Sequence, residues 1–193
     1  LSCATCHADG RHDGRVWDFT GRGEGLRRTP PLLGRTGTGQ GNVHWSANFD
    51  EIQDFEGDIR NAFGGSGFMT DADYAATAAP LGPPKAGLSA DLDALAAYVS
   101  SLGADSLLRS PHRNGDGTMT VQGSAGRAVF RSLGCGGCHR GSTFTDSTVG
   151  SGTLHDVGTL RTTSGGRSGG PLVGLDTPTL VGLWSSRGYL HDG

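Results

Sequence analysis

All four cysteines of this sequence lie in two copies of the pattern CxxCH. The copies consist of Cys3, Cys6 and His7 near the start, and of Cys135, Cys138 and His139 further along. Two thiols three positions apart can form thioethers with the two vinyl groups of haem, and the adjacent histidine is then placed to bind the iron. A single copy could also be a zinc or dithiol motif. Two copies that use every cysteine favour two covalently bound haem c groups, with His7 and His139 as iron ligands.

The ligand on the opposite face of the iron decides between functions. A second strong ligand gives an electron carrier, whereas an open position permits peroxide or dioxygen chemistry. For the first haem we predict Met69, which lies well after His7 in a glycine-rich loop. Two alternatives stay open: Met69 fills space beside the haem as an apolar side chain, or His12 or His44 binds the iron instead.

The second haem has no comparable candidate, because no methionine follows His139. His155 and His191 are the strong ligands available after the motif, and either could instead hold a loop by hydrogen bonding. The ligand could also lie beyond Gly193, or the position could be open. The sequence therefore predicts His7, Met69 and His139 as iron ligands and leaves the second distal ligand unassigned.

Arginine and tryptophan side chains supply candidates for contacts to the haem propionates. Arg27 and Arg28 precede a Thr-Pro motif, and the planar guanidinium group can bind a carboxylate with two hydrogen bonds. Solvation of both arginines is the alternative. Trp17, Trp45 and Trp184 could donate indole N–H groups or pack on the haem edge. We predict Arg27, Arg28 and Trp45 as cofactor-binding residues.

Composition limits the function classes. Glycine makes up 35 of 193 residues and the net charge is -3, which does not indicate a nucleic-acid-binding surface. No apolar stretch is long enough for a membrane span, and no signal peptide is visible. Haem c is attached on the exported side of the membrane, so we expect a periplasmic or extracellular location and a chain cut from a longer polypeptide. The expected partners are a redox protein or other domains of that polypeptide.

Apolar periodicity predicts three helices separated by loops rich in glycine, proline, serine and threonine. The clearest helix runs from Ser89 to Leu102, with Ser89 as N-cap. The others run from Phe49 to Phe63 and from Ser124 to Leu133, which leads into the second CxxCH motif. The predicted fold class is mainly α with extensive irregular loops.

A weak internal repeat predicts two cytochrome c-like haem domains. Each half begins with CxxCH and later carries Thr-Pro-x-Leu, at 29–32 and at 177–180. The turn-rich segment 109–122 then serves as a linker between domains at 1–108 and 123–193. The second domain is expected to be truncated at its C-terminus.

The order of CxxCH, Thr-Pro-x-Leu and a closing His-Asp-Gly resembles the bacterial di-haem cytochrome c peroxidase and MauG family. The resemblance is strongest at 176–180 and 189–193, and Ser110-Pro111-His112-Arg113 resembles its interdomain segment. The resemblance implies two cytochrome c-type domains, the first closed by the helix at 92–102. The expected function is electron transfer; the alternative is a di-haem peroxidase or oxidase with one haem as reaction centre and the other as relay.

Overall fold

The computed structural model describes residues 2–193 and contains short helices, two small sheets and long turn-rich connections. The α-helices of this range are α1 (Cys3–Cys6), α2 (Phe55–Gly57), α3 (Asp71–Thr77), α4 (Ala90–Ser100) and α5 (Val121–Ser132). The antiparallel sheets pair β1 (Val16–Asp18) with β2 (Leu26–Arg28) and β3 (Gly166–Arg167) with β4 (Gly170–Pro171). Short 3₁₀ turns and one π-helical turn join these elements.

The predicted fold class is wrong. Within residues 2–193 the longest helix has 12 residues, and sheets accompany the helices, so the fold is mixed rather than mainly α. Two cytochrome c-like haem domains do not describe it. The physical reason is composition, because glycine and proline end helices after a few turns and favour backbone hydrogen bonds within turns. The domain boundaries at residues 108 and 122 stay a prediction.

Two of the three predicted helices are confirmed. The side chain of Ser89 accepts a hydrogen bond from the Leu92 N–H and so caps α4, whose buried face includes Leu92. Helix α5 begins three residues before the predicted Ser124, because the side chain of Thr120 caps it by accepting from the Gly123 N–H. Polar caps and apolar periodicity are local signals, which explains why the sequence predicts these helices.

The predicted helix from Phe49 to Phe63 is wrong as a continuous element. It divides into a 3₁₀ turn at Ile52–Asp54, helix α2 and a π-helical turn at Asp58–Ala62. Glu56 lies at the centre of this segment and its side chain is fully buried. Its carboxylate binds groups of a distant loop, and such long-range partners are invisible to a periodicity argument.

The buried interior is small and unusually polar. Its hydrophobic members among the described residues are Trp45, Ala47, Phe49, Ile52, Met69, Leu92, Ala96 and Leu175. Ion pairs lie beside them, and the Lys85 Nζ atom is 2.6 Å from Asp54 Oδ1 with both side chains 1% exposed. Burial of a charge is tolerated only when it is paired and hydrogen-bonded. Paired polar groups therefore share the interior with a sparse apolar core.

The two halves of the chain contact each other extensively. The guanidinium of Arg27 in β2 donates to the carbonyl oxygens of Ser164 and Gly166, at 2.7 and 3.0 Å. Arg167 of β3, in the second half, donates to the carbonyl oxygen of Ser46 in the first half at 2.7 Å. Residues 164–167 are thereby held against β2 and the segment that follows it. Within residues 2–193 we find no helix with the length and hydrophobicity that a membrane crossing requires.

Candidate functional site

The first CxxCH motif forms α1, which places the two thiols and His7 on one short turn. His7 Nδ1 lies 3.3 Å from the Arg11 carbonyl oxygen, four residues further along. This contact makes Nδ1 the donor and leaves Nε2 as the nitrogen available to a metal. Burial lowers the pKa of His7, and the nearby His44 lowers that pKa further. A neutral imidazole with a free Nε2 is the form that binds iron.

The second motif has the same local arrangement on a different element. Helix α5 ends before Gly134, whose φ of 69° turns the chain into a 3₁₀ turn at Cys135–Gly137. His139 Nδ1 lies 3.0 Å from the Phe144 carbonyl oxygen, so its Nε2 is also left free. Both histidines of the repeated motif are therefore oriented by a backbone carbonyl that follows them. All four cysteines are unpaired thiols.

A cleft opens beside His139, and both halves of the chain form its walls. Its cavity volume is about 200 Å³, and it is partly open to solvent. The second Thr-Pro motif and residues 189–191 line one part, while Arg28, Arg35 and Trp45 from the first half line another. Clefts of this kind, mostly apolar with a few convergent polar groups, are typical of cofactor sites.

Two arginines bring unsatisfied donors to this cleft. Arg28 is 4% exposed, and its Nη1 atom is buried with no hydrogen-bond partner. The Nε of Arg35 is likewise buried without a partner, and burial lowers the pKa of Arg35 to about 10. Buried donors without partners are costly, so an anionic group that reached these two nitrogens would be stabilised by both. Arg35 was missed at the sequence level, because no local pattern distinguishes it from the other arginines.

Arg27 and Trp45, predicted to contact the cofactor, already have partners. Arg27 donates to Glu24 Oε2 at 2.8 Å as well as to the second half of the chain, and it does not line the cleft. The indole N–H of Trp45 donates to the Arg28 carbonyl oxygen at 2.8 Å, while the ring forms part of the cleft wall. The predicted contacts of Arg27, Arg28 and Trp45 to a cofactor stay predictions.

The histidines considered for the distal face of the second haem both line the cleft. His191 is completely buried, and its Nε2 lies 2.7 Å from the hydroxyl oxygen of Ser164. His155 Nε2 lies 2.9 Å from Asp146 Oδ2. Each ring is therefore held by one hydrogen bond in this structure, and the second distal ligand stays unassigned.

Met69 is buried, and a single carboxylate holds its loop. Glu56 accepts hydrogen bonds from the backbone N–H groups of Phe68 and Met69, at 2.9 and 3.1 Å from Oε1. Arg60 joins the cluster by donating to Glu56 at 2.7 Å and to the Met69 carbonyl oxygen. Met69 is thus positioned precisely by residues 56–60, and its ligation to iron stays a prediction.

His44 has the signs of a functional histidine near the first motif. Its backbone has a φ of 69°, a conformation that costs energy for a residue other than glycine. Its Nδ1 lies 2.8 Å from Asn48 Oδ1, which leaves Nε2 free. Burial raises the pKa of Asp58. The nearby His44 lowers that pKa and so cancels part of the rise. Asp58 was missed because only the tertiary structure brings it to His44.

The remaining sequence candidates lie outside the cleft. His12 Nδ1 accepts a hydrogen bond from the Gly14 N–H at 3.0 Å, and its ring lines a smaller groove together with Trp184. The indole N–H of Trp17 donates to Asp13 Oδ2 at 2.9 Å. These side chains have local structural roles in the geometry observed.

Comparisons with known proteins identify one curated relative and one solved structure. No family model matches the chain. Hydrazine synthase subunit gamma from Kuenenia stuttgartiensis is 27% identical over 232 aligned positions, covering 100% of this chain and 60% of the relative. The structure of Kuenenia stuttgartiensis hydrazine synthase pressurized with 20 bar xenon matches with a TM-score of 0.57 and 23% identity, covering 100% of this chain and 68% of that one.

These similarities correct the sequence-based resemblance. The chain is similar over its whole length to a hydrazine synthase subunit and shares the fold of that enzyme's structure, so assignment to the di-haem cytochrome c peroxidase and MauG family is wrong. The motifs behind that assignment are each a few residues long, and an alignment over the whole chain carries more information. The chain spans about 60% of the length of the curated relative that it matches.

Proposed function

We propose that this chain is a redox protein that holds two covalently bound haem c groups and transfers single electrons within a multi-subunit assembly. The relative is named as the gamma subunit of hydrazine synthase, which supports a redox-related role beside other subunits. Covalent haem attachment places the protein on the exported side of a bacterial membrane in this proposal. A redox protein or another subunit is then the partner that supplies or accepts electrons.

The cleft beside His139 carries the proposal. It combines His139, whose Nε2 is free, with the thiol of Cys138 and with two arginines that have buried nitrogens without partners, Arg28 and Arg35; Cys135 lies one turn earlier in the same motif. Covalent attachment of haem requires such residues, because haem before attachment presents an iron, two vinyl groups and two carboxylates on a flat apolar ring. The residues of the second site therefore fit the group.

Each residue of the second site has a defined task in this proposal. Cys135 and Cys138 hold the ring covalently, and the Phe144 carbonyl keeps the His139 tautomer that presents Nε2. Arg28 and Arg35 neutralise carboxylates and exclude water from the cleft wall. When bound, haem supplies one-electron oxidation and reduction, and the surrounding charge and burial set its reduction potential.

Counting the attached haems tests the proposal directly. We expect intact-mass measurement of protein produced with haem-attachment machinery to show two haems per chain, with one remaining in the Cys135→Ser/Cys138→Ser variant. The Cys3→Ser/Cys6→Ser variant is the matched control: it should lose the first haem and retain the haem attached at Cys135 and Cys138. Protein without covalent haem at either motif would overturn the proposal.

The ligand opposite His7 is tested separately. If Met69 binds the first iron, the oxidised protein shows a sulfur-to-iron charge-transfer band that Met69→Ala abolishes. The Met119→Ala variant is the control, because Met119 precedes the second motif and should leave the band unchanged. An unchanged spectrum in Met69→Ala would contradict this ligand assignment without affecting the haem count.

Substrate chemistry at the first iron is the second candidate function, with the second haem as electron relay. It is favoured by His44 and Asp58, two groups that can exchange protons, because His44 lies near enough to influence the pKa of both His7 and Asp58. A high-spin iron signal and turnover of peroxide with an electron donor would support it. His44→Gln and Asp58→Asn should then lose turnover while retaining two haems, whereas low-spin spectra for both haems would exclude it.

A further inference from the structure

A group of three potential metal ligands lies at the edge of the second motif. Donor atoms of Cys138, Asp146 and His155 all lie within 4.8 Å of one another. No other trio of histidine, cysteine or acidic side chains in residues 2–193 meets this spacing. Thiolate, carboxylate and imidazole are the ligands that zinc prefers, and three protein ligands with a fourth position for water form a common zinc geometry.

Asp146 gives an independent reason to expect a cation here. Its side chain is 6% exposed, and its Oδ1 atom is buried with no hydrogen-bond partner. Its Oδ2 atom lies 2.9 Å from His155 Nε2. A buried carboxylate oxygen without a partner is costly, and a bound cation would remove that cost.

The backbone holds the ligands in place before any metal binds. His155 exchanges two backbone hydrogen bonds with Leu175, at 2.8 and 2.9 Å, so the imidazole is anchored to the cleft wall. Cys138 is fixed by the turn that ends in His139, whose N–H donates to the Cys135 carbonyl oxygen at 3.0 Å. The three ligands lie within residues 138–155, and the contact with Leu175 holds the end of this segment in place, which favours binding.

We propose that Cys138, Asp146 and His155 bind a divalent transition-metal ion with zinc-like chemistry in the chain before haem is attached. Haem attachment adds the Cys138 S–H bond across a vinyl C=C bond: sulfur binds one vinyl carbon and the thiol hydrogen moves to the other. The resulting thioether has lost the thiolate charge that the metal site needs. Metal binding and haem attachment at the second motif are therefore mutually exclusive; this consequence rests on the proposed function, whereas the metal site does not.

The metal site is tested on the full chain produced without haem attachment and kept reduced. We expect Zn²⁺ titration by calorimetry to show one site, and Co²⁺ to give a thiolate-to-cobalt absorption band. Cys138→Ser should abolish that band. Asp146→Asn and His155→Gln should weaken Zn²⁺ binding at least about tenfold, because even residues that only orient ligands change metal affinity by about 10–100-fold.

Cys6→Ser is the matched control, because it removes a thiol from a CxxCH motif that lacks the neighbouring ligands. It should leave one Zn²⁺ site of unchanged affinity. Circular dichroism of every variant shows whether the fold is retained. The proposal is overturned if Asp146→Asn and His155→Gln bind Zn²⁺ as the parent chain does, or if Cys6→Ser weakens binding as much as Cys138→Ser. A parent chain that circular dichroism shows to be unfolded without haem also overturns the proposal, because the site requires the fold before haem is attached.

Competition with haem is measured within a single polypeptide. When haem is attached in the presence of excess Zn²⁺, we expect peptide mass spectrometry to show lower haem occupancy at Cys135–Cys138 than at Cys3–Cys6. Asp146→Asn should restore equal occupancy. Equal loss at both motifs would contradict the competition, and absence of haem from both motifs without Zn²⁺ would contradict only the proposed function.

Discussion

Individual buried residues show how the cleft is charged. Asp176 is 7% exposed and lies in the cleft wall, and burial raises its pKa to about 6. Arg35 lies in the same wall, where Asp176 opposes the fall in pKa that burial causes. A carboxylate and a guanidinium with shifted pKa values in one cleft make its charge sensitive to pH and to any anion bound there.

Replacement of Asp176 by asparagine should change how stability depends on pH. A carboxyl group with a raised pKa binds its proton more tightly in the folded state, so stability is lost as pH rises from about 4 to about 6 and is constant above that. The asparagine has no such loss. We expect Asp176→Asn to gain about 3 kcal/mol relative to the parent protein between pH 4 and pH 8, because the pKa is raised by about two units and each unit corresponds to about 1.4 kcal/mol.

Urea unfolding across this pH range measures the effect, with Asp105→Asn as an exposed control that should follow the parent curve. If the variant became more stable than the parent as pH falls, and not as pH rises, the raised pKa of Asp176 would be contradicted. Equal curves for Asp176→Asn and the parent would also contradict it.

At the scale of elements, polar pairs replace apolar packing as the connection between segments. The pair of Lys85 and Asp54 joins the loop before α4 to the 3₁₀ turn at Ile52–Asp54. Gln53 of the same turn donates to Asp93 Oδ1 in α4 at 2.8 Å. The element whose helix prediction was wrong is therefore held by side-chain partners, which also explains its broken geometry.

Removal of Lys85 should be strongly destabilising because it leaves a buried, uncompensated carboxylate. We expect Lys85→Met to lower the free energy of unfolding by about 3–5 kcal/mol. The double variant Lys85→Met/Asp54→Leu removes both charges and should lose less than the single variant. Chemical denaturation of both proteins checks this, and a double variant no more stable than Lys85→Met would show that the pair is not coupled.

At the scale of the whole molecule, hydrogen bonds from side chains and from the backbone connect the first half to the second. Arg27 reaches residues 164–166 with two hydrogen bonds, and the backbone N–H of Arg28 donates to the His191 carbonyl oxygen at 2.6 Å. The Asp176 N–H donates to the Trp45 carbonyl oxygen at 2.9 Å. Because the cleft has walls from both halves, these contacts also determine its shape.

Loss of the Arg27 contacts should loosen the second half selectively. We expect Arg27→Met to lower stability by about 2–3 kcal/mol, since several charge-assisted hydrogen bonds are lost together. Amide hydrogen exchange should accelerate at 162–171. The exposed Arg127→Met in α5 is the control and should change stability by less than about 0.5 kcal/mol. Uniform acceleration throughout the chain would contradict a local connecting role.

The sequence by itself determined those features that depend on residues close together in the chain. The CxxCH spacing and the Ser89 cap of α4 depend on residues within one or two turns, so they can be read from the chain directly, whereas the Thr120 cap of α5 was not predicted. The tertiary structure decided the broken segment at 52–62 and the mixed fold. It also decided the approach of Asp58 to His44, of Arg35 to the cleft, and of Asp146 and His155 to Cys138. These juxtapositions depend on long-range hydrogen bonds and buried ion pairs in a chain with few apolar residues, and local periodicity contains no information about such pairing.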